Sequence, residues 1–221
     1  MPPQQGPPPR APAAQGQHEQ VNAAGQSELW VAASLGDLAW VHFLLSSGGV
    51  LVDRQCNKGA SALWVACLNG HLEVVRALLS AGALVDLTAA DGTSALWVAS
   101  NGGHVEVVRA LLSSGAQVDL AHAAGGTSLY MACQNGHLEV ARVLLSAGAT
   151  VDLQSNAGTS PLWIASMKGH VEVARALLSA GAKVDLLSLE EMSPLHLACQ
   201  NGHLEVVRAL LSSGAQVDPR C

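Results

Sequence analysis

The chain has 221 residues, a formal charge of −6 and 49% apolar side chains, yet only 3% aromatic ones. It has no cluster of Lys or Arg to neutralise phosphates, no apolar run near the ~18 residues that span a bilayer, and no basic-then-apolar leader profile at its start. These absences argue against a nucleic-acid partner, a membrane span and secretion, and the expected setting is intracellular, in the cytoplasm.

Residues 1–20 are mostly Pro, Gln, Gly and Ala. They carry too little apolar surface to offset the entropy of ordering, so a disordered, solvated tail is expected. Within it Pro7-Pro8-Pro9-Arg10-Ala11-Pro12 has the composition of a polyproline ligand.

From residue 21 onward the chain repeats itself. Asp53, Asp86, Asp119, Asp152, Asp185 and Asp218 fall at a strict spacing of 33. The period divides residues 21–221 into units at about 21–52, 53–85, 86–118, 119–151, 152–184 and 185–217. Units of this size cannot bury an apolar face alone, so a stacked solenoid follows. The first unit is irregular. Gly36-Asp37 stands where later units have Gly-His, Trp40 and Phe43 replace Val and Ala, and the step from Leu29 to Leu63 is 34. An atypical first unit is expected, because one of its faces has no neighbour.

Each regular unit parses alike. Ser61, Ser94, Thr127, Ser160 and Ser193 are natural N-caps for a short helix, and Pro161 and Pro194 suit its first turn. Gly-His then breaks the chain. A second helix, Leu72–Ser80 in its first copy, carries Leu72, Val75, Leu78 and Leu79 as an apolar stripe. Gly82 and its counterparts Gly115, Gly148, Gly181 and Gly214 suit a left-handed stop. Val85–Gly92 and its copies read as a turn or hairpin joining units. A second period of 66 alternates Cys67, Cys133 and Cys199 with Ser100 and Ser166, as though a two-unit block had been duplicated. At about 8–10 Å per layer these thiols lie roughly 20 Å apart, too far for a disulfide, and the column is expected to bury small side chains. Cys56 and Cys221 lie in a turn and at the terminus.

Gly158-Thr-Ser-Pro-Leu-Trp-Ile-Ala-Ser-Met-Lys-Gly-His-Val-Glu-Val and Ser193-Pro-Leu-His-Leu-Ala-Cys-Gln-Asn-Gly-His-Leu-Glu-Val-Val resemble the ankyrin repeat. The resemblance runs from about Asn22 to the C-terminus. It implies an all-α ankyrin-repeat solenoid of six helix-turn-helix units with projecting β-turn or hairpin loops, curved, with a concave face that binds proteins. Two columns depart from the family. Its Asp at the loop tip is Cys56, Ala89, His122, Ser155 and Ser188 here. Its His in Thr-Pro-Leu-His is Trp30, Trp64, Trp97, Tyr130 and Trp163, with only His196 conforming.

The aromatic column has two readings. The rings either pack between units, replacing the family's histidine-to-loop hydrogen bond with buried area, or surface beside the loops to anchor a partner. His71, His104, His137, His170 and His203 have no second ligand one helical turn away, so they read as caps and loop fasteners with no metal bound. Glu73/Arg76 and its four copies form i,i+3 pairs on a solvated face, and stacking makes lateral Glu–Arg neighbours between units as well. No nucleophile–base pair, phosphate-cradling loop or paired-carboxylate signature stands out, so neither enzyme activity nor a cofactor is expected. The expected function is a protein–protein interaction module, a scaffold or adaptor. The alternative is the scaffold part of a larger enzyme or ubiquitin-ligase-type adaptor whose effector domain lies elsewhere. Candidate partner-binding residues are Asn57, Lys58, Leu68, Asn69, Asp91, Trp97, Asn101, Tyr130, Gln134, Asn135, Asn156, Trp163, Met167, Lys168, Glu190 and Gln200. The sixth unit keeps Leu204, Val207, Leu210 and Leu211 of the interior units, which leaves self-association through an uncapped end open.

Overall fold

A computed structural model describes residues 21–217; the tail of residues 1–20 and the residues from Asp218 to Cys221 lie outside the described residues. Twelve helices occur among the described residues, two per unit, and no strand beyond an isolated bridge between Val21 and Ser27. The first helices of the units are α1 (Glu28–Leu35), α3 (Ala62–Leu68), α5 (Ala95–Asn101), α7 (Ser128–Gln134), α9 (Pro161–Lys168) and α11 (Pro194–Gln200). The second helices are α2 (Leu38–Ser47), α4 (Leu72–Ser80), α6 (Val105–Ser113), α8 (Leu138–Ser146), α10 (Val171–Ser179) and α12 (Leu204–Ser212).

Local chemistry explains where these helices begin. The side-chain oxygens of Ser27, Ser61, Ser94, Thr127, Ser160 and Ser193 accept the backbone N–H three residues on, at 3.1–3.3 Å. Each bond satisfies one of the donors that a helix start leaves orphaned. Asp37 does the same for α2, accepting the Trp40 amide at 2.9 Å.

Each first helix packs on its own second helix and on the first helices of its neighbours. The second helices form a second row, in looser contact with one another than the first helices are. Between the rows runs a continuous core. Leu29, Leu63, Leu96, Leu129, Leu162 and Leu195 line its inner side, and Leu78, Leu111, Leu144, Leu177 and Leu210 its outer side, all almost fully buried. The outer face carries the expected pairs, from Arg76–Glu73 at 2.9 Å to Arg109–Glu106 at 3.6 Å. All five lie within one helix, and across the joints Arg76 and Glu106, like Arg175 and Glu205, line one shallow cavity as lateral neighbours.

The cysteine column follows expectation inside the stack and departs from it at the end. Cys67 and Cys133 are buried, and burial pushes both thiols well above their ordinary pKa. Cys199 is exposed, since no unit covers α11 in this structure. The same bareness leaves Leu204 58% and Leu211 44% exposed, where the matching Leu72 and Leu79 are half-buried.

Candidate partner-binding surface

Every joint between units is fastened by the same few bonds, and these decide which side chains stay available. The period-marking aspartates are clasps. Asp53, Asp86, Asp119, Asp152 and Asp185 each accept the backbone N–H 31 residues on, at 2.8–3.1 Å. The histidines are clasps too. Nε2 of His71, His104, His137, His170 and His203 donates to the carbonyl of Ser34, Leu68, Asn101, Gln134 and Met167 respectively, at 3.0–3.2 Å. Each stands at the N-cap position of a second helix, yet none caps it with its side chain. Their role is fastening; capping is corrected. Gly36, Gly70, Gly103, Gly136 and Gly169 each lie against the histidine ring of the next unit. At Gly103, with φ +74°, a Cβ would stand 2.8 Å from the His137 ring.

The loops close despite the missing family Asp. Backbone bonds such as Ala89 N–H to Thr93 carbonyl (2.9 Å) and Ser155 N–H to Thr159 carbonyl (3.0 Å) shape each tip. One backbone rung per joint links neighbouring tips, as from the Ala90 N–H to the Lys58 carbonyl (3.0 Å). Gln55 and Gln154 add side-chain bonds to their own loop and to the next, the latter to the Thr88 (2.8 Å) and Leu187 (3.0 Å) carbonyls.

The aromatic column does not trade hydrogen bonds for area; it supplies both. Trp64 Nε1 donates to Thr93 Oγ1 (3.2 Å), Trp97 Nε1 to the Gly126 carbonyl (3.2 Å) and Trp163 Nε1 to the Met192 carbonyl (3.0 Å), while Tyr130 Oη bonds Thr159 Oγ1 (3.1 Å). Each ring thus reaches the loop of the next unit, as the family's histidine was expected to do. Trp163 is only 8% exposed; Trp97 and Tyr130 keep an open edge, and the Trp97 ring leans on His122 with centroids 5.1 Å apart. Trp30 is the exception: its Nε1 is buried without a partner.

The remaining candidates separate by what their side chains already do. Asn57, Asn69, Asn135 and Asn156 are exposed, yet their amides donate to carbonyls of the preceding unit, at Ala23 (3.1 Å), Ser34 (3.0 Å), Asn101 (3.0 Å) and Ala123 (3.0 Å). Recurrence was the available signal: Asn69, Asn135 and Asn201 repeat at 66, as a structural residue does. Asn101 accepts from Asn135. Asp91 is exposed at a tip, where Thr93 donates its hydroxyl (2.6 Å) and its amide (3.0 Å). The hydroxyl bond above all holds the Asp91 carboxyl below the usual carboxylate range. Leu68, Gln134, Met167 and Gln200 form one column at the ends of the inner helices, with Lys168 beside Met167. Leu68 is 39% exposed, Lys168 and Gln200 are exposed, and Gln134 and Met167 are half-buried. Lys58 and Glu190 stand exposed at tips. Gly102 interrupts the column shared by Asn69, Asn135 and Lys168, and a Cβ there would meet His104 Nε2 at 2.6 Å. Among the described residues no group of three or more His, Cys, Asp or Glu could hold a metal ion, and no helix is long and apolar enough to cross a membrane.

A crystal structure of an ankyrin repeat domain from Acinetobacter baumannii is similar at a TM-score of 0.79 and 30% identity, covering 85% of this chain and 98% of that one. Among curated proteins, cortactin-binding protein 2 of Ornithorhynchus anatinus is 39% identical over 57 residues, and that of Aotus nancymaae 42% over 52. These stretches cover 26% and 24% of this chain and only 4% and 3% of the relatives' own lengths. A family model of ankyrin repeats matches in three overlapping copies, at residues 13–89, 83–155 and 129–221. With the stacked helical pairs, the clasps and this match in agreement over almost its whole length, the chain belongs to the ankyrin repeat family.

Proposed function

We propose that the chain is a non-catalytic scaffold or adaptor that binds a protein partner through the face formed by the ends of its inner helices and its loop tips. Ankyrin repeats are in general protein–protein interaction modules. What carries the reading to this face is the division of labour among its residues. The Asp and His side chains and the amides of Asn57, Asn69, Asn135 and Asn156 are committed to joints between units, whereas the side chains of Leu68, Gln134, Met167, Lys168 and Gln200 make no such joint and remain open to a partner. Lys58, Asp91 and Glu190 add scattered charges at the tips, so shape and amide chemistry outweigh electrostatic steering. The curated relatives are named for binding cortactin, and the shared stretch is under two repeats long; the partner of this chain is argued from its own groove. Affinity capture with the natural chain and with a Met167→Asp, Lys168→Glu, Asp91→Lys variant tests the reading. Different sets of captured proteins support it; identical sets overturn it.

A second reading rests on the open end of the stack. Cys199, Leu204 and Leu211 are exposed in columns that interior units cover. This favours a chain that serves as the scaffold part of a larger enzyme or adaptor, or one that self-associates there. Light scattering that shows a concentration-independent monomer removes self-association, and an intact transcript without a further domain removes the larger-protein reading.

A further inference from the structure

We propose that Asp91, with the Trp64 and Trp97 indoles and the His122 ring beside it, forms a socket for one arginine side chain of the protein partner. The occupant rests on the groove reading above; the socket adds the chemistry of one anchoring contact.

The tip of the third unit's loop stands apart from its copies. Its column reads Lys58, Asp91, Ala124, Ala157 and Glu190. The loop does not need the carboxylate in order to close. Beside Asp91 the Gly92 N–H donates to the Ala89 carbonyl at 2.9 Å, and beside Ala124 the Gly125 N–H donates to the His122 carbonyl at 2.8 Å. The same backbone turn therefore forms with a methyl group in place of the acid, and loop closure leaves the acid unexplained.

The joint around that acid is rich in rings. Trp64 Nε1, from the preceding unit, donates to Thr93 Oγ1 (3.2 Å), which donates in turn to Asp91 Oδ1 (2.6 Å). The Thr93 amide adds a second bond to the same oxygen (3.0 Å). Both bonds fall on Oδ1, which leaves Oδ2 to an incoming donor. On the other side, the Ala123 N–H donates to the Asp91 carbonyl (3.2 Å) and draws the next tip alongside. There His122 Nδ1 and Trp97 Nε1 donate to one carbonyl, that of Gly126, with their rings 5.1 Å apart. Trp64, Trp97 and His122 are half-buried and Asp91 is exposed, so rings and acid all reach the surface.

Guanidinium suits this arrangement. An ionised carboxylate calls for a cation, and the Thr93 hydroxyl holds Asp91 below the usual carboxylate range, which keeps it charged. Aromatic faces attract cations too, most strongly indole. Guanidinium is flat, carries its donors in a fixed fork and is more weakly hydrated than ammonium, so it can bond Oδ2 and lie on a ring together. Lys58 and His122 are the basic side chains on the adjoining tips, and neither forms an ion pair with Asp91 among the described residues. The formal charge of −6 favours a basic visitor.

Acetyl-argininamide is the probe, titrated into the full chain at constant ionic strength and followed by NMR. The Trp64 and Trp97 indole N–H signals and the Asp91 and Thr93 amides are expected to respond most. Their shift per unit concentration should fall about three- to fivefold in Asp91→Asn, which keeps an acceptor for Thr93, and as much with acetyl-citrullinamide, which has the same shape without the charge. Acetyl-lysinamide should give about half the response. Glu190 is the internal control: another exposed tip carboxylate, with Met192 in place of Thr93 and the adjoining Trp163 only 8% exposed. An equal response around Glu190, an undiminished one in Asp91→Asn or with the citrulline probe, or an equal one to the lysine probe overturns the proposal. The probe needs no partner, so its failure leaves the groove to the capture experiment, and its success stands whatever proteins are captured.

Discussion

Trp30 offers a direct measurement of what one loop bond contributes. Its indole N–H is buried without an acceptor, while the next four aromatic residues all bond to the following loop. The cause lies in the partner column. That column offers hydroxyls from Thr93 and Thr159 to Trp64 and Tyr130 and backbone carbonyls from Gly126 and Met192 to Trp97 and Trp163, whereas Ala60 in front of Trp30, only 5% exposed, has no hydroxyl and its carbonyl does not take up the indole N–H. Ala60→Thr places a hydroxyl at that point of the stack. The site has room for it, since Thr93 and Thr159 occupy the same column at 4% and 7% exposure. Satisfying a buried donor with a neutral hydrogen bond is worth about 1–2 kcal/mol. The gain falls toward the lower end, because Cys56 stands four residues before Ala60 where Ser155, four residues before Thr159, gives that hydroxyl a second hydrogen-bond partner. A stabilisation of about 1 kcal/mol, seen as a raised urea midpoint at constant m, is the expected outcome. In a Trp30→Phe background, which deletes the donor, Ala60→Thr should yield nothing, so the cycle isolates the bond. Equal effects in both backgrounds, or destabilisation by Ala60→Thr alone, would refute the reasoning.

Other positions separate backbone, packing and polar effects. Gly103→Ala meets both a left-handed backbone and the His137 ring, and should cost about 2–3 kcal/mol; Gly115→Ala, at φ +87° with nothing within 4 Å of its Cβ, should cost only about 1, both read by urea unfolding. Ser100 is fully buried and its hydroxyl has no partner, so Ser100→Ala should raise stability by about 0.5–1 kcal/mol, whereas Thr127→Ala removes a helix cap and should lower it by about 1. Glu191 holds φ +55° in a column where the other loops place glycine, so Glu191→Gly should stabilise the last loop by about 1 kcal/mol in thermal unfolding. NMR titration should find the Asp91 carboxyl ionising below the ordinary carboxylate range, and Thr93→Val should return it upward. A group held low in the fold adds stability above its unfolded pKa and loses it as pH falls through the folded one, so Asp91→Asn should weaken the acid dependence of this loop.

What could be read directly from the sequence was whatever a short stretch of chain settles alone. Ser and Thr caps, glycine stops and the apolar stripe act within one helix, and they lie where periodicity puts them. The Asp and His clasps act between residues 31 to 37 apart, and their partners are backbone groups that every residue type carries, so no residue pattern reveals them. The Asp column therefore read as a ruler when it is a fastener. Asn69 and Asn135 read as groove residues because an exposed amide looks available until its acceptor is known. The ends show the same limit from another side. Cys133 and Cys199 share their local sequence, yet one is buried and the other exposed, and Leu72 is half-buried where its local twin Leu204 is 58% exposed, since burial here is conferred by the neighbouring unit. In a stack, a residue's role is set by its column together with what stands in front of it. For that reason the informative departures lie at an end: Trp40 and Phe43 stand in columns that later units fill mostly with Val and Ala, and Phe43 is 58% exposed where Ala77 is half-buried.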